Sequence, residues 1–266
     1  MTIQQMLLGV SSGGGASLDI QLTAGGYGRT FSSATLNNNS SLTVTSTWGY
    51  SGYYAFLIPA NDTYRIEARG VNGTFSPVTS PRTPENYGAQ IIADVAVTAG
   101  NVLIFMAGQQ DNSACSDGQG AGGGGMSGAA ISSTTSNSTS SVNNATALVI
   151  AGGGGGSCYN GHYGYSTSTA RGYANTNQVG RAGLHSGYTA EGHGWTVGGG
   201  GQATSASYSV AAWNGGGFNT DGSGTSVRSG GSHGAAFRNG GVGGYGQGGS
   251  GGHGGFGGGG GGAQNC

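Results

Sequence analysis

Gly230-Gly231-Ser232-His233-Gly234 and Gly248-Gly249-Ser250-Gly251-Gly252 both fit the G-x-S-x-G pattern of a nucleophile elbow. An elbow needs a strand before the serine and a helix after it, so that the hydroxyl stands exposed on a strained turn. Neither stretch is followed by a helical pattern, and 63 glycines in 266 residues generate such matches by composition. The same holds for Gly118-Gln119-Gly120-Ala121-Gly122-Gly123, which fits G-x-G-x-x-G outside any strand–helix–strand unit. All eight basic residues are arginine. Without lysine there is neither a P-loop lysine nor a Schiff base. The five histidines lack the spacing of a zinc helix, and His185 and His193 read as exposed loop residues. No pair of carboxylates is placed for acid–base work. The residues therefore predict a non-enzyme, with no metal and no cofactor.

Cys115, Cys158 and Cys266 fit no zinc spacing. Cys115 and Cys158 each sit beside a glycine-rich segment, so a disulfide between them and a pair of reduced thiols both fit. By the chain-entropy model such a bridge would contribute about 4 kcal/mol.

The chemistry that remains is recognition. Residues 158–197 and 202–239 lie between glycine runs and carry rings among Ser, Asn and Gly. Binding surfaces favour this mixture, because rigid amphipathic rings gain contact at low entropic cost, and sugars suit the same rings. Tyr159, Tyr163, Tyr188, His193, Trp195 and Trp213 are the receptor-binding candidates. The competing reading is that these rings, with Phe218 and the other aromatics there, pack against glycine on the flanks of the fold.

Such loops need a scaffold. Up to about residue 110 the chain reads as strands. Leu18 to Leu22, Leu42 to Val44 and Tyr64 to Ala68 alternate apolar and polar residues. "YYAFLIP", "AQIIADVAV" and "NVLIFMAG" are short apolar runs bounded by Gly, Pro and Asn, as in strands buried on both faces. Many short strands separated by turn signals predict a β-sandwich. Ile3, Met6 and Leu7 fall at helical spacing in the first ten residues, and so short a helix holds only if docked. That peptide also lacks the basic region of a secretion signal, and no apolar run approaches the ~18 residues of a membrane span.

From about residue 118 glycine runs at 122–125, 152–156, 198–201 and 257–262 alternate with polar segments. Gly240-Gly241-Val242, Gly243-Gly244-Tyr245, Gly248-Gly249-Ser250, Gly251-Gly252-His253 and Gly254-Gly255-Phe256 are Gly-Gly-X triplets. A period of three matches a polyproline-II-type helix, which has no internal hydrogen bonds. Its backbone groups must find partners on neighbouring segments when buried. Glycine lets such helices pack side by side, so the runs are expected as a bundle of polyglycine-II helices with the X residues on outward ridges. Only four prolines are present, which excludes collagen. Charged residues are 6% and the net charge is −1, which gives no basis for binding nucleic acid or an anionic membrane.

"GYYAFLIPANDTYRIEARGVNG" (52–73), "GAQIIADVAVTAGNVLIFMAGQQ" (88–110), "GQGAGGGGMSGAAI" (118–131) and "ALVIAGGGGGS" (147–157) occur in the order of one family. The chain resembles the glycine-rich domain of the anaplastic lymphoma kinase extracellular region, found also in bacterial and phage proteins. "ARGVNG" and "GQQDNSACSDG" carry less glycine than that pattern. The resemblance implies a β-sandwich of tumour-necrosis-factor-like type fused to a glycine-helix bundle. "MTIQQMLLGV" resembles the opening of tail-fibre-like proteins of marine and cyanobacterial phages.

The expected organisation is all-β. An attachment peptide covers 1–15 and includes Ile3, Met6 and Leu7. A sandwich covers 16–117 and is completed by a strand near 147–151. A polyglycine-II bundle with aromatic and polar loops covers 118–266. With the resemblances, the expected role is a phage tail-fibre or adhesin subunit, located in the virion. Its N-terminal peptide would meet other tail proteins, and its loops would meet a host receptor or glycan. It would bind no nucleic acid and insert in no membrane; self-association into an oligomer stays open. A purely structural, self-assembling subunit and an extracellular ligand-binding module are the alternatives.

Overall fold

The computed structural model describes residues 4–10, 19–25, 27–38, 52–74, 87–111, 122–134, 142–156, 202–203, 215–224, 231–246, 254 and 257–260. These residues are mostly β-strands in antiparallel sheets, and the chain is all-β in class. The strands are β1 (Gln4–Val10), β2 (Asp19–Gly25), β3 (Ser33–Asn38), β4 (Tyr53–Leu57), β5 (Asp62–Arg69), β6 (Gln90–Val97), β7 (Val102–Met106), β8 (Ser127–Ser132) and β9 (Thr146–Ala151). One sheet has the order β3-β2-β1-β5-β6 and the other β4-β7-β8-β9. Two short strands, β10 (Gln202–Ala203) and β11 (Ser223–Gly224), pair in parallel.

Alternation decides where each side chain goes. In β5, Tyr64, Ile66 and Ala68 are buried, while Thr63, Arg65 and Arg69 are exposed. The buried set joins Ile20 and Leu22 of β2, Tyr54 and Phe56 of β4, Leu103 and Phe105 of β7, Ala129 of β8 and Val149 of β9. One hydrophobic cluster thus takes residues from both sheets.

β4 and β7 are apolar on both faces, as their sequences predict, and both faces are covered. Tyr53, Ala55, Val102, Ile104 and Met106 point into a second cluster with Val142, Ala145, Phe218 and Phe237. The last two come from the glycine-rich half of the chain. Phe237 opens a 3-10 turn (Phe237–Asn239) and meets Tyr53 edge-on, with centroids 5.2 Å apart. The Tyr53 hydroxyl donates to the Phe237 carbonyl.

Three expectations are corrected. "AQIIADVAV" is not buried on both faces: β6 ends the first sheet, and from Gln90 to Ala96 its residues alternate between exposed and half-buried, with Val97 buried. The helical spacing read in Ile3, Met6 and Leu7 does not give a helix at Met6 and Leu7. Gln4–Val10 is a strand between β2 and β5, with Met6 opposite Leu22 and Ala68 and Leu7 opposite Gln21 and Glu67. Of the peptide expected to stand apart at 1–15, Gln4–Val10 is described, and it is part of the sheet. The boundary at 117/118 also fails as a division of structure, because β8 lies between β7 and β9.

Candidate functional site

Four strands adjoin glycine-rich backbone. Gly70 follows β5, Ala107-Gly108 follows β7, Met126 precedes β8 and Gly152 follows β9. Beyond the sheets these segments exchange hydrogen bonds one at a time with several neighbours. The Val71 amide donates to the Gly125 carbonyl (2.9 Å), the Gly154 amide to Val71 (2.7 Å) and the Gly124 amide to Gly154 (2.8 Å). Three segments are tied in a ring by three backbone bonds.

The bonding repeats every third residue. Gly122 and Gly125 accept from Thr74 and Val71, while the amides of Gly123 and Met126 donate to Gly260 and Gly257. The segment 257–260 is the hub of the network. Its four successive carbonyls accept from Met126 (2.8 Å), Gly216 (2.7 Å), Gly244 (2.7 Å) and Gly123 (2.8 Å). The first and fourth bonds return to the same neighbouring segment.

Close approach explains the residue type. A Cβ on Gly70 would fall on the Gly152 carbonyl, one on Gly73 on Gly155, one on Gly153 on Gly124, and one on Gly254 on Gly259. Gly152 is different, with nothing within 4 Å of such an atom. In the triplets at 240–245, Val242 and Tyr245 are half-buried and Gly241, Gly243 and Gly244 are buried, but Gly240 is half-buried too, and Gly240 and Gly241 have φ of +97° and +63°, outside the polyproline-II range expected for a triplet helix. The guanidinium of Arg29 lies 5.1 Å from the Tyr245 ring centre, and the Gly243 amide donates to the Arg29 carbonyl (2.7 Å). These contacts tie the tail to the turn between β2 and β3. One part of the expected bundle differs. Gly257 and Gly258 form a turn with φ of +99° and +77°, outside the polyproline-II range expected for the run 257–262. The run 198–201 lies outside the described residues.

The far end of this network is the candidate functional site. Thr74, Asp111, Gly122, Gly156, Gly215 and Gly260 are the points at which the described chain leaves or re-enters it. They are neighbours. The Thr74 amide and hydroxyl both donate to the Gly122 carbonyl (3.0 and 2.6 Å), and Gln110 Nε2 donates to the Gly73 carbonyl (3.2 Å). A Cβ on Gly73 would sit 3.1 Å from the Gly156 nitrogen, and one on Gly215 would sit 3.6 Å from the Gly260 nitrogen. The stretch with Tyr159, Tyr163, Tyr188, His193 and Trp195 starts at Gly156; the chain is described again at β10, paired with β11, and after Trp213 it returns at Gly215.

Tyr159, Tyr163, Tyr188, His193, Trp195 and Trp213 lie outside the described residues, as do Cys115 and Cys158, between which a disulfide or reduced thiols both fit the sequence, and Ile3 of the peptide. Of the aromatics weighed as surface or packing, Phe218 is described, and it packs. It is 4% exposed, tilted against Phe237 at 5.0 Å, with the Arg238 guanidinium 5.0 Å from its ring centre. Two exposed rings near the network were not singled out in the sequence. Tyr27 is bridged to Gln110, and Tyr87 precedes Gly88, whose amide donates to Asn72 Oδ1 (3.2 Å). A lone Tyr-Gly step in a glycine-rich chain gives no signal that would have marked them.

The electrostatics are sparse. Burial holds the phenols of Tyr54 and Tyr64 above the ordinary tyrosine value, with the Asp62 carboxylate adding to the effect at Tyr64. Among the described residues no group of three His, Cys, Asp or Glu side chains is placed to hold a metal. No helix among them is long and apolar enough to cross a membrane. No protein-family model and no curated protein matches the chain.

Proposed function

We infer that the protein is a tail-fibre or adhesin subunit of a phage particle that contacts the host surface through loops carried on a glycine network. In this reading the two sheets form a β-sandwich and the glycine segments a bundle of polyglycine-II type. The backbone bonds that the glycine segments exchange with several neighbours, and the close approach of Gly70, Gly73, Gly153 and Gly254 to facing carbonyls, support the second element. One observation carries the functional reading: the stretch rich in Tyr, His and Trp leaves the network beside Gly73 at Gly156 and, after β10 pairs with β11, returns beside Gly260 at Gly215. Backbone bonding leaves that segment free to vary in sequence without disturbing its base. Since β1 has a partner strand on each side, contact with other tail proteins runs through faces of the folded subunit and not through a free peptide. The role is non-enzymatic, and the location is the virion.

The structural-subunit reading has one observation in its favour, the burial of Phe218. Cell binding separates the two. The purified protein is expected to bind a susceptible cell among a panel of cyanobacterial and marine bacterial hosts. Tyr163→Ala, Tyr188→Ala, Trp195→Ala and Trp213→Ala are expected to weaken that binding with little change in Tm, since large rings dominate binding hot spots. Immunogold labelling of particles tests the location. Labelled particles without cell binding favour the structural subunit; no label on particles refutes both.

A further inference from the structure

β6 is the edge of the five-stranded sheet, and among the described residues no strand lies along its outer side. Natural sheets protect such an edge with Lys, Pro, a bulge or a short strand. β6 has eight residues, no Pro and no Lys, and pairs with β5 in unbroken register from Asp62↔Val97 to Arg69↔Gln90. Its outward row is Gln90, Ile92, Asp94 and Ala96, and Ile92 is 49% exposed. Beside it on β5 lie Arg69, Glu67 and Arg65. Glu67 Oε1 accepts from Arg69 Nε and Gln90 Nε2, both at 2.7 Å, so these groups are held in place. Arg65 and Asp94 make only a loose pair at 3.8 Å, with side chains 62% and 57% exposed. Ile92 is thus an apolar centre inside a charged rim, the usual anatomy of a small interface.

We propose that this edge pairs antiparallel with β6 of a second copy of the chain, about a twofold axis at Ile92. The register follows from parity and charge. Side chains stay on their own faces only if paired positions differ by an even number of residues. An axis at Asp94 would set two carboxylates opposite each other. The axis at Ile92 instead sets Ile92 against its own copy, the Gln90 amide against the partner's Asp94, and Ile91 against the partner's Ala93. Arg69, next to Gln90, adds positive charge on the side where the partner's Asp94 arrives. The pairing is limited to Gln90–Asp94 of each copy, because the Ala89 amide is already bonded to the Gly152 carbonyl (2.9 Å). An isologous contact of this kind closes on itself, so it gives a dimer and not a fibre.

The test is light scattering or sedimentation of the full chain over a range of concentration. The wild type is expected to be dimeric. Ile92→Lys and Ile92→Glu each place like charges face to face on the axis and are expected to weaken the dimer by about tenfold or more. Mixing the two variants is expected to restore it, since opposite charges then meet. Circular dichroism checks that each variant folds. Should position 92 not tolerate a charge, Asp94→Arg removes the carboxylate that meets Gln90 and is expected to weaken the dimer in the same way. A monomeric wild type at about 100 µM overturns the proposal and leaves the edge to a segment of the same chain. So does a dimer that survives the substitutions, or a mixture of folded variants that stays monomeric.

Discussion

Gly152 and Gly153 are adjacent and differ in surroundings, which makes them an internally controlled pair. A Cβ at 152 meets open space, whereas one at 153 falls on the Gly124 carbonyl and within 2.7 Å of the Gly125 oxygen. Gly153→Ala therefore forces the segment 122–126 away from 152–156. The bonds at risk are the ring of three: Gly124 to Gly154, Gly154 to Val71 and Val71 to Gly125. Each contributes about 1 kcal/mol net. Alanine returns roughly 0.4–1 kcal/mol by restricting the unfolded chain. The expected loss is about 2–3 kcal/mol. In a protein of this size 1 kcal/mol moves Tm by roughly 2–4 °C, so Gly153→Ala should melt roughly 4–12 °C below the wild type. Gly152→Ala, with the same unfolded-state gain and no collision, should melt at or slightly above it. Differential scanning calorimetry of the three proteins reads both. Equal Tm values for the two variants would refute the close-packed network.

Phe237→Ala removes a fully buried ring shared with Tyr53 and Phe218 and should cost about 3–5 kcal/mol, read by urea unfolding. Deleting residues 1–10 should unfold the chain rather than free a dispensable peptide, because β2 and β5 both lose their ladder partner; an unchanged melting curve would contradict this. Tyr54 and Tyr64 hold their protons more tightly folded than unfolded. Their contribution to stability is complete below pH ~10, the unfolded tyrosine value, and is lost as pH rises from there through the folded values. Absorbance titration of phenolate against circular dichroism should show the two ionising late or together with unfolding.

What could be read in the sequence followed the strength of the pattern. β4 and β7 were legible because both of their faces are apolar and both are covered. β6 has a similar composition, but its place at the sheet edge is a fact of topology that a local run of residues does not carry. In the first ten residues the apolar positions suit a helix and a strand alike, and pairing with β2 and β5 decided for the strand. β8 was missed because Gly128, Ala129 and Ala130 look like more of the glycine-rich grammar; small residues there leave room for Ile150 to approach Gly128. The glycine runs were legible as packed backbone from the strand that leads into Gly152 and from the triplets at 240–245. The joining of Gly70–Gly73 to that network was not, since "ARGVNG" has only two glycines and Gly125 and Gly154, the partners of Val71, lie more than 50 residues away. The proposed recognition loops rest on composition alone, because Tyr159, Tyr163, Tyr188, His193, Trp195 and Trp213 lie outside the described residues.

The central claim is that glycine backbone, bonded segment to segment, forms a fixed base for those loops. Amide hydrogen exchange followed by NMR at Gly123, Gly124, Gly154, Gly216 and Gly244 tests it most directly, because each of these amides has a single named carbonyl partner. The account predicts slow exchange at all five, comparable with the amides of the sheet strands. Exchange at free-peptide rates at these glycines, with the sheets still protected, would contradict it.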